Sequence, residues 1–139
     1  MNILIRAHSG LRYVVLALLI AAVFTAYSNW QKSKESDSKI YSFALIATHI
    51  QLLIGLVLYV MSPKVNFDQI GEKLFRFYSI EHIFMMLIAI VLITFGRVRS
   101  RKVAGSDKHR TILYFYGMAL IIIIVAIPWP FRNLGAGWF

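Results

Sequence analysis

The chain has 139 residues, 59% of them hydrophobic and only 15% charged, with a formal net charge of +9 and no cysteine. Ordinary soluble domains carry about 45–50% apolar and about 25% charged residues, so a chain this short holds more apolar surface than one core can hide, and lipid must take up the rest. Without cysteine there are no disulfides, thiolate-held zinc sites or iron–sulfur clusters. The basic residues sit between apolar runs rather than along one face, which argues against nucleic acid and for topology signals that meet anionic headgroups.

A helix needs about 20 mostly apolar residues to cross a hydrocarbon layer about 30 Å thick. The first stretch that qualifies is residues 5–28. Arg6 and Arg12 precede its apolar run, the general form of a signal peptide, and it is read as a retained first span closed by Tyr27 and Trp30. Residues 29–39 are charged and serine-rich, a solvated turn. The second span is residues 40–61, bracketed by Tyr41 and Tyr59. Residues 62–76 predict a brief interfacial helix with Asn66 as N-cap and Gln69 reaching back in a capping box. The third span, residues 77–95, opens on Phe77 and Tyr78 and leads into the strongly basic segment 96–108. The fourth is residues 111–131, closed by Trp129 and stopped by Pro128 and Pro130, which lack the donor a helix interior needs. A β-barrel would show alternating polarity, and residues 119–127 show none. The expected fold is therefore all-α: one integral membrane domain over residues 1–139, a four-helix transmembrane bundle with up-down topology.

Short basic loops prefer the cytoplasm. The first and third loops with Arg110 carry nine basic residues (Lys32, Lys34, Lys39, Arg97, Arg99, Arg101, Lys102, Lys108 and Arg110). The opposite side carries Arg6, Arg12, Lys64, Lys73, Arg76 and Arg132. Both termini are therefore expected on the side of the membrane away from the cytoplasm.

Ionisable groups within a span are costly and tend to mark function. Here they are His8, Arg12, His49, Glu81 and His82, with His109 at the start of the fourth helix, at the inner surface near water. Two imidazoles that grip one porphyrin must lie at similar depth. His82 lies about 6–7 Å inside the outer boundary and His8 within about 7 Å of that level, while His49 sits about 16 Å in. His8 with His82 is the best-matched pair, on helices diagonal in an up-down bundle; His49 with His82 is second, offset by about 9 Å. Arg12, one turn from His8, is placed to meet a carboxylate such as a haem propionate, and Arg76 and Arg132 can do the same at the outer surface. Glu81 is a candidate proton carrier or a partner for Arg12.

Plainer readings stand beside these. A histidine in a bundle often does no more than donate to a carbonyl or a hydroxyl across the interface. Met61, Met85 and Met86 read as packing residues, and the Thr48, Gln51, Gly55 face reads as close helix–helix contact. Ser9 beside His8 is no nucleophile–base pair, because adjacent helical side chains point about 100° apart. There is no HExxH.

The segments His8-Ser9-Gly10-Leu11-Arg12-Tyr13, His49 to Tyr59, Tyr78-Ser79-Ile80-Glu81-His82 and Ile127-Pro128-Trp129-Pro130-Phe131-Arg132-Asn133-Leu134-Gly135 together resemble a family of short four-span membrane proteins of Bacteroidetes-type bacteria loosely labelled cytochrome b. The resemblance covers nearly the whole chain and implies a haem b protein of the inner membrane with His8, His49 and His82 as candidate ligands. The expected function is one-electron transfer through a b-type haem, linked to a quinone. The alternatives are a non-enzymatic accessory subunit of a larger membrane complex, its tail 133–139 docking on a neighbour or lying in the interface, and a proton carrier or transporter using Glu81, His82 and His49.

Overall fold

The structure, a computed structural model, describes residues 1–138. Four long helices follow one another: α1 (Asn2–Gln31), α2 (Lys39–Met61), α3 (Lys73–Ser100) and α4 (Asp107–Ala126). Single 3-10 turns at Phe67–Gln69 and Pro130–Arg132 complete the ordered elements, and there is no strand among the described residues. Even α4, with 20 residues, reaches about 30 Å, the thickness of a hydrocarbon layer. The chain is a membrane protein built as a four-helix bundle.

The distribution of side-chain size agrees with lipid outside. Seven of the seventeen buried apolar residues are alanine: Ala22, Ala26, Ala44, Ala47, Ala89, Ala119 and Ala126. The large side chains point outward instead; Phe24, Leu53, Val60, Phe84, Val91 and Ile121 are each more than 60% exposed. Water would not tolerate such a surface, whereas helices in lipid gain from small interfacial residues that let their backbones approach. Gly96 is the extreme case, since a Cβ there would overlap Phe115 on α4. Packing runs α2 on α1, α1 on α4 and α4 on α3, and the seam between α2 and α3 is the thinnest.

Helix ends differ from the expected spans for local reasons. α4 stops at Ala126, short of residue 131, because proline disfavours the helical conformation in the residue before it; Ile127, before Pro128, is extended at φ −68° and ψ 132°. α3 runs past residue 95 to Ser100, with Arg97 and Arg99 in its last turn, where cations meet the negative end of the helix dipole. Asn66 caps the Phe67–Gln69 turn by accepting from the Asp68 N–H at 3.0 Å. Gln69 does not reach back to the backbone as a capping box requires. It takes the Asn66 side-chain amide at 3.2 Å, and the Asn66 N–H donates to Ser79 Oγ at 2.9 Å, tying the turn to α3.

The basic end is closed by a polar clamp. Arg97, its side chain only 5% exposed, grips both oxygens of Asp37 at 2.9 and 2.7 Å and donates to Ser42. Tyr41 Oη meets His109 Nδ1 at 2.7 Å, and the Tyr116 hydroxyl donates to the Tyr41 carbonyl at 2.7 Å. His109, expected near water, is fully buried, because α2 and the preceding loop fold over it. The clamp joins α2, α3 and α4 where the seam would otherwise part.

Gly96→Ala is expected to cost about 1–3 kcal/mol through overpacking, whereas Gly117→Ala, whose Cβ meets nothing within 4 Å, should be neutral or slightly stabilising; thermal unfolding in detergent compares them. The Arg97 hydrogen bond holds the Asp37 carboxyl below its ordinary value of 3.8. A depressed carboxyl stabilises the fold above the unfolded-state value and loses that contribution as pH falls through the folded one. Thermal stability should therefore drop as pH falls below about 4, and Asp37→Asn should lower stability at neutral pH while flattening that acid limb.

Candidate functional site

At the end of the bundle that carries both termini, α2 and α3 part. They touch at Ser42 with Arg97, at His49 with Thr94 (3.3 Å), and again where the Tyr59 hydroxyl donates to the Ser79 carbonyl (2.8 Å). Behind the stretch between His49 and Tyr59 lies a cavity of about 340 Å³. His8 and Arg12 reach it from α1, Gln51 and Gly55 from α2, and His82 and Met86 from α3.

His82 is placed by two departures from a regular helix. Residues Phe77–Glu81 form a π-helical turn inside α3, ending just before it. One inserted residue changes the face presented on either side by about 100°. The second departure is at the end of α4. The Ala126 carbonyl would accept from residue 130, but Pro130 has no N–H, so the carbonyl is free and His82 Nδ1 takes it at 2.9 Å. The same accounting explains the rest of the Pro-Trp-Pro-Phe-Arg run. The Ile124 carbonyl faces the donorless Pro128 and takes Trp129 Nε1 at 2.9 Å, and Arg132 caps the Val125 and Ile127 carbonyls at 2.9 and 3.1 Å. Arg132 also lies over the Phe77 ring, 4.9 Å from its centre. It therefore braces the helix end and does not line the cavity.

His8 sits on Gly55, where a Cβ would come within 3.0 Å of its Cε1. The small residue of the Thr48, Gln51, Gly55 face makes room for an imidazole rather than for a second backbone. Gln51 donates to the His8 carbonyl at 2.8 Å. His8 Nδ1 is buried and has no hydrogen-bond partner; the Gln51 carbonyl is near but outside hydrogen-bond geometry. The His8 and His82 rings stand 6.4 Å apart, centre to centre, at 76° to one another.

His49 is elsewhere. Its Nδ1 bonds the Leu45 carbonyl at 2.8 Å and its Nε2 faces Thr94 Oγ1, so both nitrogens are engaged by the bundle itself, outside the cavity. Glu81 pairs with Arg76 at 2.9 Å and not with Arg12, because the π turn sends it to the surface. Arg12 instead holds the tail, donating through Nη2 to the Gly137 and Trp138 carbonyls at 3.1 and 2.5 Å. Lys64 on the Gly135 carbonyl (2.7 Å) and Tyr78 on the Leu134 carbonyl (3.0 Å) complete the fastening. Of the tail expected to dock on a neighbour or lie in the interface, residues 134–138 fold back over this chain's own cavity; Phe139 lies outside the described residues. Among the described residues no group of three histidine, aspartate or glutamate side chains is gathered as a metal would need.

The π turn, the seat at Gly55 and the tail were not read from the sequence. Only the Pro-x-Pro spacing announced that two carbonyls would need partners from outside the helix, and it does not name them. Comparison with protein-family models, with curated proteins and with solved structures found no match. By fold and site, the chain is a four-helix membrane protein with a two-histidine cavity at its terminal end.

Gly55→Ala should push the His8 ring by a few tenths of an ångström, since its new methyl would sit 3.0 Å from Cε1. In spectra of isotope-labelled histidine, the His8 imidazole signals should move while those of His49 stay. Gly10→Ala, whose Cβ meets nothing within 4 Å, serves as the control.

Proposed function

We propose that the chain is a b-type haem protein of the bacterial inner membrane, with both termini periplasmic, that carries single electrons. The observation that carries this reading is the His8–His82 pair. A metal–nitrogen bond of about 2 Å plus about 1 Å to each ring centre would let two imidazoles about 6 Å apart hold one metal ion between them; these rings are 6.4 Å apart. The donor chemistry fits as well. His8 Nδ1 is buried without a hydrogen-bond partner, and His82 commits Nδ1 to a carbonyl and leaves Nε2 without a hydrogen bond. Metal-bound imidazoles usually give their second nitrogen to a carbonyl in this way, which fixes the tautomer and the ring orientation. The cavity falls within the range of about 300–1,000 Å³ common for small-ligand sites.

A bound haem supplies one-electron chemistry, its potential tuned by axial ligands, burial and nearby charge. The chain's own residues do the rest. His8 and His82 would hold the group from α1 and α3, Gly55 and the Ala126 carbonyl set the two ring orientations, and Leu52, Leu56 and Met86 exclude water. The seam between α2 and α3 faces lipid, so an electron partner dissolved in the bilayer, such as a quinone, suits it. The resemblance of the four segments to the cytochrome b-labelled family points the same way.

The reading is tested on purified protein by a dithionite-reduced minus oxidised difference spectrum and by pyridine extraction. A sharp α-band and stoichiometric haem are expected, lost in His8→Ala and in His82→Ala and kept in His49→Ala. No haem in the wild type, or haem that survives loss of His82 but not of His49, overturns it.

A further inference from the structure

Four buried side-chain nitrogen or oxygen atoms among the described residues have no hydrogen-bond partner: His8 Nδ1, Arg12 Nε, Gln51 Oε1 and His109 Nε2. Three of them belong to residues that line the cavity at the terminal end. Buried polar groups are almost always satisfied, and those that are not call for an explanation specific to the site. His109 lies at the other end, against the loop backbone of Lys34 and Ser36.

Arg12 is the strongest of the three. It is 7% exposed, within the first span, and carries a full charge. The two ion pairs among the described residues are Arg76–Glu81 and Arg97–Asp37, so none of the described carboxylates answers Arg12. Its partners are neutral: the Tyr13 hydroxyl and the Gly137 and Trp138 carbonyls, all on Nη2, and the Tyr13 and Trp129 rings, whose centres lie 4.8 and 5.8 Å from the guanidinium carbon. An unanswered buried cation is strongly unfavourable, and a hydrogen bond between a guanidinium and a carboxylate is charge-assisted on both sides. The remaining lining is largely apolar, with Leu52, Leu56, Met86 and Ile90 facing the two histidines.

We infer that the cavity takes a ligand with an apolar body and a carboxylate, and that Arg12, whose Nη2 holds the tail while Nε and Nη1 have no hydrogen-bond partner, is the cation that meets that carboxylate, under the roof of the Gly135–Gly137 strap. A porphyrin propionate and a fatty acid both have this chemistry. For the porphyrin, the inference rests on the function proposed above; for the fatty acid, it stands without it.

The test uses the full chain in zwitterionic nanodiscs, stripped of bound ligand. Haemin is compared with its dimethyl ester by absorbance titration, and brominated palmitate with its methyl ester by quenching of tryptophan fluorescence. One of the two acids should bind at least about tenfold more tightly than its ester, the order expected for a charge-assisted hydrogen bond. That preference should vanish in Arg12→Gln. If Arg12→Gln does not fold, Arg12→Lys decides, since an ammonium lacks the planar fork and should reduce the preference severalfold. Equal binding of acid and ester in the wild type, or a preference unchanged in the Arg12 variant, overturns the inference. Haemin that fails to bind while palmitate shows the Arg12-dependent preference overturns the haem reading alone.

Discussion

A hydrocarbon layer offers no hydrogen bonds, and in this bundle that constraint governs the placement of nearly every polar group. Each backbone group in a span must be satisfied by its own helix or by a named neighbour, at a cost of about 1–3 kcal/mol where it is not. Pro128 and Pro130 remove two donors at the end of α4, and the carbonyls of Ile124 and Ala126 lose their helical partners. Trp129 answers one and His82 the other. A histidine on α3 is thereby oriented by a proline, Pro130, that follows α4. The candidate site is in this sense a by-product of how the last helix ends.

The same constraint explains why the two ends of the α2–α3 seam behave differently. At the basic end, Arg97, Asp37, Ser42, Tyr41, His109 and Tyr116 answer one another almost completely, and the helices are held together. At the terminal end, His8, Arg12 and Gln51 retain unanswered atoms, and the helices part around a cavity. A satisfied network rigidifies and an incomplete one invites a further component. The tail contributes to this division. The Gly137 and Trp138 carbonyls give Arg12 neutral partners, and the Gly135–Gly137 stretch roofs the cavity.

Small residues inside and large ones outside complete the arrangement. The alanines at the helix crossings allow close approach, and Gly96 against Phe115 takes that to its limit on the α3–α4 side. On the α1–α2 side the space left by Gly55 is filled by the His8 ring instead. The thin α2–α3 seam is the remaining side, where the polar contacts at either end frame the cavity.

The four spans, the helical class and the lipid-facing character were legible in the residues, because length and apolar composition alone decide whether a helix can cross a bilayer. The depth count along the helices already set His8 beside His82, since rise per residue is constant. Side-chain partnership was not legible. Whether Glu81 meets Arg12 or Arg76 depends on a π turn that no local pattern announces, and whether His109 is wet or buried depends on which helix lies over it. His49 and His82 look alike in sequence, each an imidazole in an apolar run. Only the packing distinguishes a ring with both nitrogens engaged from one whose Nε2 is left open, because that difference is made by atoms more than forty residues away in the chain.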